Sequence, residues 1–262
     1  VTPFPRDGLS LALHTRGRGQ PVIFQHGLCG DARQTFESFP DLPDTRLHTL
    51  DCRGHGASPH DGPYSIATFA GDIAALAETL SPPVILGGIS MGAAISLRLA
   101  VTQPHLVRAL ILVRPAWGTE AAPPNMSPNA EAAKALLTST REAFAQTPTA
   151  RQLATEAPDN LASLLGFFDR TPLDQTAALL AAISADGPGL TRAQLATLTI
   201  PTLICATAED AIHPRALAAD LASLIPTARL IDLPPKGRDK PAHLAALHAA
   251  IADFLATLPQ EP

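Results

Sequence analysis

Cysteine is scarce in this chain. Three residues, Cys29, Cys52 and Cys205, are spread over 262 positions. An odd number at wide spacing, with no C-x-x-C, argues against both a disulfide framework and a zinc site, and a reducing compartment is expected. Charge is also sparse: 16% of residues are charged, the net charge is −5, and the pI is near 6.0. No Lys/Arg cluster overrides that total, so neither nucleic acid nor an anionic membrane surface is an expected partner. A small neutral or weakly charged molecule fits better. Nowhere do about 18 uninterrupted apolar residues occur in a row, and the first residues, VTPFPRDG, are polar where a signal peptide has an apolar run. A soluble, cytoplasmic protein is expected. Internal repeats are absent, and the compositional bias is limited to alanine and proline.

What the chain has is apolar material to bury, 46% of its residues with a mean hydropathy of +0.13, and its length suits one α/β domain with an insertion. LSLALHT (9–15) alternates like an early antiparallel strand. PVIFQ (21–25), LHTL (47–50), VILGG (84–88), LVRALILV (106–113), TLICA (202–206) and ARLIDL (228–233) read as buried or half-buried strands. Residues 66–80, 91–103, 214–225 and 241–258 have helical spacing, with Pro104, Pro214, Pro226 and Pro259 at their ends. The expectation is an α/β fold, a mostly parallel sheet of the eight-stranded type with helices on both faces.

Residues 118–200 break the rhythm. Alanine-rich helical stretches such as EAAKALLTSTREAFAQ and PLDQTAALLAAI follow one another between proline turns, with no convincing strand. The expected organisation is a core of residues 1–117 and 201–262 with a helical cap at 118–200, placed between two core strands and so over the strand ends where pockets form. Its aromatics are Phe144, Phe167 and Phe168, with Trp117 at its border, which suggests a substrate with an apolar acyl or alcohol portion.

The strongest chemical signal is Gly88-Ile89-Ser90-Met91-Gly92, which joins a strand to a helix. A serine hydroxyl becomes a nucleophile when it is exposed, aimed and close to a base; a tight strand-turn-helix aims it at the head of the helix dipole. VIFQHGLCGD ends a strand at His26-Gly27 and turns again at Gly30. Such a turn can point a backbone N–H at a developing oxyanion, and the amides of Leu28 and Met91 are the expected donors. His26 is read as bracing neighbouring loops, and Cys29 as a structural thiol with nothing beside it to activate it. In LDCRGHGAS (50–58), Asp51, Arg53 and His55 are expected to brace the floor of the site.

HGLCG, DCRGHGAS and GISMG, in that order and at strand ends with a helical insertion downstream, resemble the α/β-hydrolase fold superfamily over nearly the whole chain. The resemblance implies an α/β-fold serine hydrolase that cleaves an ester, lactone, thioester or amide through an acyl-enzyme. It equally admits a cofactor-free perhydrolase or acyltransferase. A serine at position 90 argues against the aspartate-nucleophile branches, the epoxide hydrolases and haloalkane dehalogenases. The implied substrate is a small acyl compound, and the implied cofactors are none, neither metal nor organic group. By family order an acid follows the serine, and TAEDAIHP offers Asp210 in preference to Glu209, although Thr207 stands where the family has glycine.

The base is less clear. The family places it after the last strand, usually as Gly-His, and this chain has Gly237-Arg238. A guanidinium cannot accept the proton. If Pro241 opens the last helix, His243 lies in its first turn, near the strand ends, whereas His248 is carried about 7.5 Å further along the axis and about 140° round it. His243 is therefore the leading expectation, with helix-dipole support for its neutral form. His213, three residues after Asp210, is the other candidate. With neither working, the chain would be a non-catalytic small-molecule-binding protein on the same fold.

Overall fold

The computed structural model describes residues 1–259, so the last three residues of the expected core, 260–262, lie outside it. Eight strands form one sheet: β1 (Thr2–Arg6), β2 (Leu9–Gly17), β3 (Gln20–Gln25), β4 (Thr45–Leu50), β5 (Val84–Ile89), β6 (Val107–Val113), β7 (Thr202–Thr207) and β8 (Ala228–Leu233). Their order is β1-β2-β4-β3-β5-β6-β7-β8. β1 and β2 pair antiparallel, β2 runs antiparallel to β4, and every later pairing is parallel. This is the expected fold class, with β1 added where the sequence reading saw only a polar terminus.

Neighbouring residues on a strand face opposite sides of a sheet, and the apolar runs of this chain feed two separate layers. Ile23, Leu86, Leu110, Leu112 and Ile204 join a layer with Ile66, Phe69, Ile73, Ile95 and Leu99, residues of α2 (Ile66–Glu78) and α3 (Met91–Thr102). Val22, Phe24, Ile85, Ile111 and Leu203 join the other, with Leu247, Ile251 and Phe254 of α11 (Lys240–Ala256). α1 (Ala32–Ser38) and α10 (Arg215–Leu224) complete the helices that flank the strands.

Between β6 and β7 the chain forms α4 (Ser127–Thr138), α5 (Arg141–Phe144), α6 (Pro148–Glu156), α7 (Pro158–Gly166), α8 (Leu173–Ser184) and α9 (Arg192–Leu195), with no strand. Ala133, Leu136, Leu180 and Ile183 of α4 and α8 merge with the first apolar layer. Ala132, Phe144, Leu153, Ala157 and Leu164 make a small apolar cluster of their own. That cluster packs against Ala211, which brings the inserted helices over the loop after β7. No helix among the described residues is long and apolar enough to cross a membrane.

Candidate active site

The site is built where β5 turns into α3. A Cβ on Gly88 would sit 2.6 Å from the Gly92 carbonyl carbon, and one on Gly92 would sit 2.3 Å from the Gln25 carbonyl oxygen, so the turn closes only with glycine at both places. Between them Ser90 has φ 55° and ψ −109°, a conformation costly for a side-chain-bearing residue and held by the packing around it. A serine just before a helix ordinarily caps it. Ser90 makes no capping bond; its hydroxyl instead reaches His213.

Ser90 Oγ lies 2.8 Å from His213 Nε2, and His213 Nδ1 lies 2.9 Å from Asp210 Oδ1. With Nδ1–H donating to the carboxylate, Nε2 is left as an acceptor for the serine proton. The loop after β7 makes this possible because one carboxylate oxygen grips both ends of the residue: Asp210 Oδ1 also accepts from the His213 backbone N–H at 3.0 Å. The same oxygen accepts from Asn160 Nδ2 of α7 at 3.0 Å, while Asn160 Oδ1 accepts from the Ala211 N–H at 2.7 Å. The other oxygen, Oδ2, takes Arg114 Nε at 2.8 Å and Nη2 at 2.6 Å. Arg114 follows β6 directly and has φ 47°, a second strained residue at the strand ends.

These contacts set the charges. Burial pushes the Asp210 carboxyl up, but His213 and then Arg114 outweigh it and hold the group well below the usual carboxylate range. For His213 burial is the largest influence and lowers its pKa; Asp210 opposes this, and the nearby charges of Arg114 and Lys236 reinforce it. Arg114 Nη2 is 3.2 Å from Nδ1, a donor facing a donor once Nδ1 carries its proton. The imidazole is thus neutral near pH 7, the form a base requires.

His243, the leading expectation, is not joined to Ser90. Asp239 caps α11, and the first helical turn directs the imidazole of His243 back onto the end of β8, where Nδ1 donates to the Pro234 carbonyl at 2.8 Å. The small cavity of about 40 Å³ that His243 lines includes Arg114 and Lys236 but not Ser90. The expected His243–Ser90 contact is not formed: the first turn of α11 is close to the strand ends, but its histidine is turned to the Pro234 carbonyl. His248 donates to the Glu37 carbonyl at 2.9 Å, away from the site.

Met91 begins α3, so its amide is among the unpaired N–H groups of a helix start, and Leu28 lines the cavity beside Ser90. His26 donates from Nδ1 to the Gly27 carbonyl at 2.9 Å and accepts at Nε2 from the Cys52 N–H at 3.0 Å. Asp51 accepts from the Ala32 and Ala57 amides at 2.9 Å each, and Arg53 pairs with the buried Asp72 at 2.8 Å. His55 bonds the Arg53 carbonyl at 3.0 Å. All four brace loops. Cys29 is buried, and its thiol is pushed up to about 11 by burial. Among the described residues no group of three or more His, Cys, Asp or Glu side chains could hold a metal ion.

Ser90 and His213 open onto a cavity of about 120 Å³. Its wall carries Gln34, Arg114, Asn129, Asn160, Ser163 and Lys236 beside Leu28, Leu164, Ile212 and Phe167. This is more polar than the aliphatic composition of residues 118–200 suggests, because α4 and α7 contribute Asn129, Asn160 and Ser163 to the wall beside Leu164. Asn129 and Asn160, isolated polar residues on alanine-rich helices, and Arg114 and Lys236, single cations just after β6 and β8, carry no pattern in the sequence. His213 had a signal: Asp-x-x-His immediately before Pro214 places acid and imidazole on one turn.

The alpha/beta hydrolase fold family model matches residues 20–239. BpoC of Mycobacterium tuberculosis, named only provisionally as a non-heme bromoperoxidase, is 26% identical over 95% of this chain and 99% of its own. Ethanol acetyltransferase 1 of Hanseniaspora uvarum is 30% identical over 36% of this chain, and the match spans only 29% of that protein's length. The crystal structure of a hydrolase from Pseudomonas aeruginosa PA01 superimposes with a TM-score of 0.71 at 26% identity, covering 97% of each chain.

Proposed function

Because the chain belongs to the alpha/beta hydrolase fold family, we propose that it is a serine hydrolase that cleaves a small ester, lactone or thioester, with Ser90 as nucleophile, His213 as base and Asp210 as the acid that orients it. One observation carries the reading: the unbroken chain from Ser90 Oγ through both ring nitrogens of His213 to Asp210. His213 Nε2 takes the serine proton as Oγ bonds to the acyl carbon. The carbonyl oxygen gains negative charge, for which the amides of Leu28 and Met91 are the donors. His213, now an imidazolium held against Asp210, gives the proton to the leaving oxygen or sulfur, and the acyl group stays on Ser90. A water then loses its proton to His213, attacks the ester, and returns Ser90 with the free acid.

The step that admits water also admits another acceptor. If an alcohol takes water's place, the acyl group leaves as a new ester, and the partial likeness to an ethanol acetyltransferase makes this the second reading on the same residues. p-Nitrophenyl acetate and butyrate turnover tests the proposal, with wild type beside Ser90→Ala, His213→Ala and His243→Ala. Turnover lost in the first two variants and kept in the third supports it; turnover kept in Ser90→Ala ends it. Ethanol added to the assay distinguishes the acceptors, because acyl transfer yields ethyl ester in place of acid.

A further inference from the structure

Residues 27–30 form a tight turn closed by the Gly30 N–H on the Gly27 carbonyl at 2.9 Å. Its third residue, Cys29, has φ 59°, at a place where such turns ordinarily carry glycine or asparagine. A side-chain-bearing residue persists in that conformation when its surroundings fix it. The core fixes the first residue of the turn: the Gly27 N–H donates to Gln34 Oε1 at 2.7 Å, and the Gly27 carbonyl also accepts from His26 Nδ1 at 2.9 Å. A trans peptide is planar, so a Gly27 carbonyl bound inside the turn sends the Leu28 N–H out of the opposite side. Among the described residues no group accepts from that N–H, and a Cβ on Gly27 would lie 3.4 Å from Ser90 Cβ.

The strained residue itself is fixed by the inserted helices. The Cys29 carbonyl accepts from Arg170 Nη1 at 2.8 Å, and Arg170 follows α7 after a single 3-10 turn, Phe167–Asp169. The same segment is fastened at its other end to the acid. Asn160 of α7 bonds Asp210 and the Ala211 N–H, and Asp159 pairs with Lys236 at 2.9 Å. Between these two fastenings the segment lends Ser163, Leu164 and Phe167 to the wall of the cavity that holds Ser90. Residues 159–170 thus tie the acid loop and the oxyanion turn to one strap.

Taking Ser90 as the acyl acceptor, as above, we infer that Arg170 is a positioning residue for the reaction: by holding the Cys29 carbonyl it keeps the turn in its strained form and the Leu28 amide aimed at the developing oxyanion. The guanidinium has no need to touch the substrate. Its effect grows as charge moves onto the carbonyl oxygen, because a misplaced donor costs most in the transition state. Substrate binding before that point changes little. A lysine at this position can still donate to the carbonyl, whereas a methionine keeps an apolar stem and donates nothing.

The test measures kcat and KM for p-nitrophenyl acetate in wild type, Arg170→Met and Arg170→Lys, together with amide hydrogen exchange by mass spectrometry on peptides covering residues 27–31. Arg170→Met is expected to lower kcat by about 10- to 100-fold with KM within about threefold of wild type. It also speeds exchange at 27–31 while the strands stay protected, and Arg170→Lys recovers most of both. Unchanged exchange at 27–31 overturns the inference. So does a loss confined to KM, a methionine variant as active as wild type, or lost protection throughout the sheet, which marks a general support of the fold. Each of these leaves the hydrolase reading standing while wild type turns over. Wild type that neither turns over the ester nor takes a fluorophosphonate at Ser90 overturns that reading instead, and exchange at 27–31 still decides whether Arg170 holds the turn.

Discussion

Two loops leave the same end of the sheet, one after β7 and one after β8, and each is followed by a histidine. In the first, Asp210 and His213 are three residues apart, and one carboxylate oxygen fixes both the backbone and the ring of the histidine, leaving Nε2 aimed at Ser90. In the second, the position where the family carries its histidine holds Arg238, which pairs with Glu209 at 2.7 Å. His243 beyond it is tied to the Pro234 carbonyl. A histidine serves as a base by virtue of what orients its far nitrogen. A carboxylate clamped by Arg114 and Asn160 can stabilise an imidazolium; a carbonyl at a strand end does so far less well.

The two histidines are expected to differ most in turnover. His213→Ala and Ser90→Ala are each expected to lower kcat by roughly 10⁴-fold or more, with His243→Ala within about tenfold of wild type in the same assay. Equal losses from the two histidine variants would erase the distinction. Asp210→Asn is expected to cost about 10³- to 10⁴-fold by depriving His213 of the right tautomer, measured as kcat with the fold checked by circular dichroism.

Arg114 sets the pH dependence of His213. Protonated His213 is inactive, so kcat/KM falls as pH drops through its pKa, and burial with Arg114 holds that pKa below 6.5. Wild type therefore keeps activity somewhat below pH 6.5. Arg114→Met removes a depressing charge, so the acid limb moves to higher pH, with a loss of about tenfold at pH 7 from a looser Asp210; Arg114→Lys restores part of the shift. An Arg114 that served only packing would lower activity without moving the limb.

The smallest effect belongs to the second loop. His243→Gln is expected to reduce stability by about 1–2 kcal/mol in urea unfolding, with turnover nearly intact. Burial lowers the pKa of His243 in the folded protein, so the unfolded chain binds the extra proton first. Its contribution is complete above about pH 6.5 and declines as pH falls below that value. The variant's urea midpoint should accordingly depend less on pH in that range than wild type's does.

Most of the fold was legible because buried parallel strands and amphipathic helices write their periods into the chain. Six expected strands at 21–25, 47–50, 84–88, 106–113, 202–206 and 228–233 lie within a few residues of Gln20–Gln25, Thr45–Leu50, Val84–Ile89, Val107–Val113, Thr202–Thr207 and Ala228–Leu233. β1 escaped because its alternation, PFPR, is interrupted by proline and its exposed edge buries little. Ser90 was legible because its two glycines are demanded by backbone contact. The partner of the serine was not, because residue order gives distance along the chain and not direction: the first turn of α11 ties His243 to the Pro234 carbonyl, while the loop after β7 holds His213 against Ser90. Arg114 and Asn160 were invisible for a related reason, since each bonds Asp210, one from just after β6 and one from α7, with no shared motif.

The most direct test of the central claim is the rate at which a fluorophosphonate modifies Ser90, followed by intact mass in wild type, His213→Ala and His243→Ala. Activation of the serine is read there without any assumption about substrate. The account predicts rapid single labelling of wild type and His243→Ala and a rate lower by orders of magnitude in His213→Ala. Rapid labelling that persists in His213→Ala and vanishes in His243→Ala would contradict it and return the base to the loop after β8.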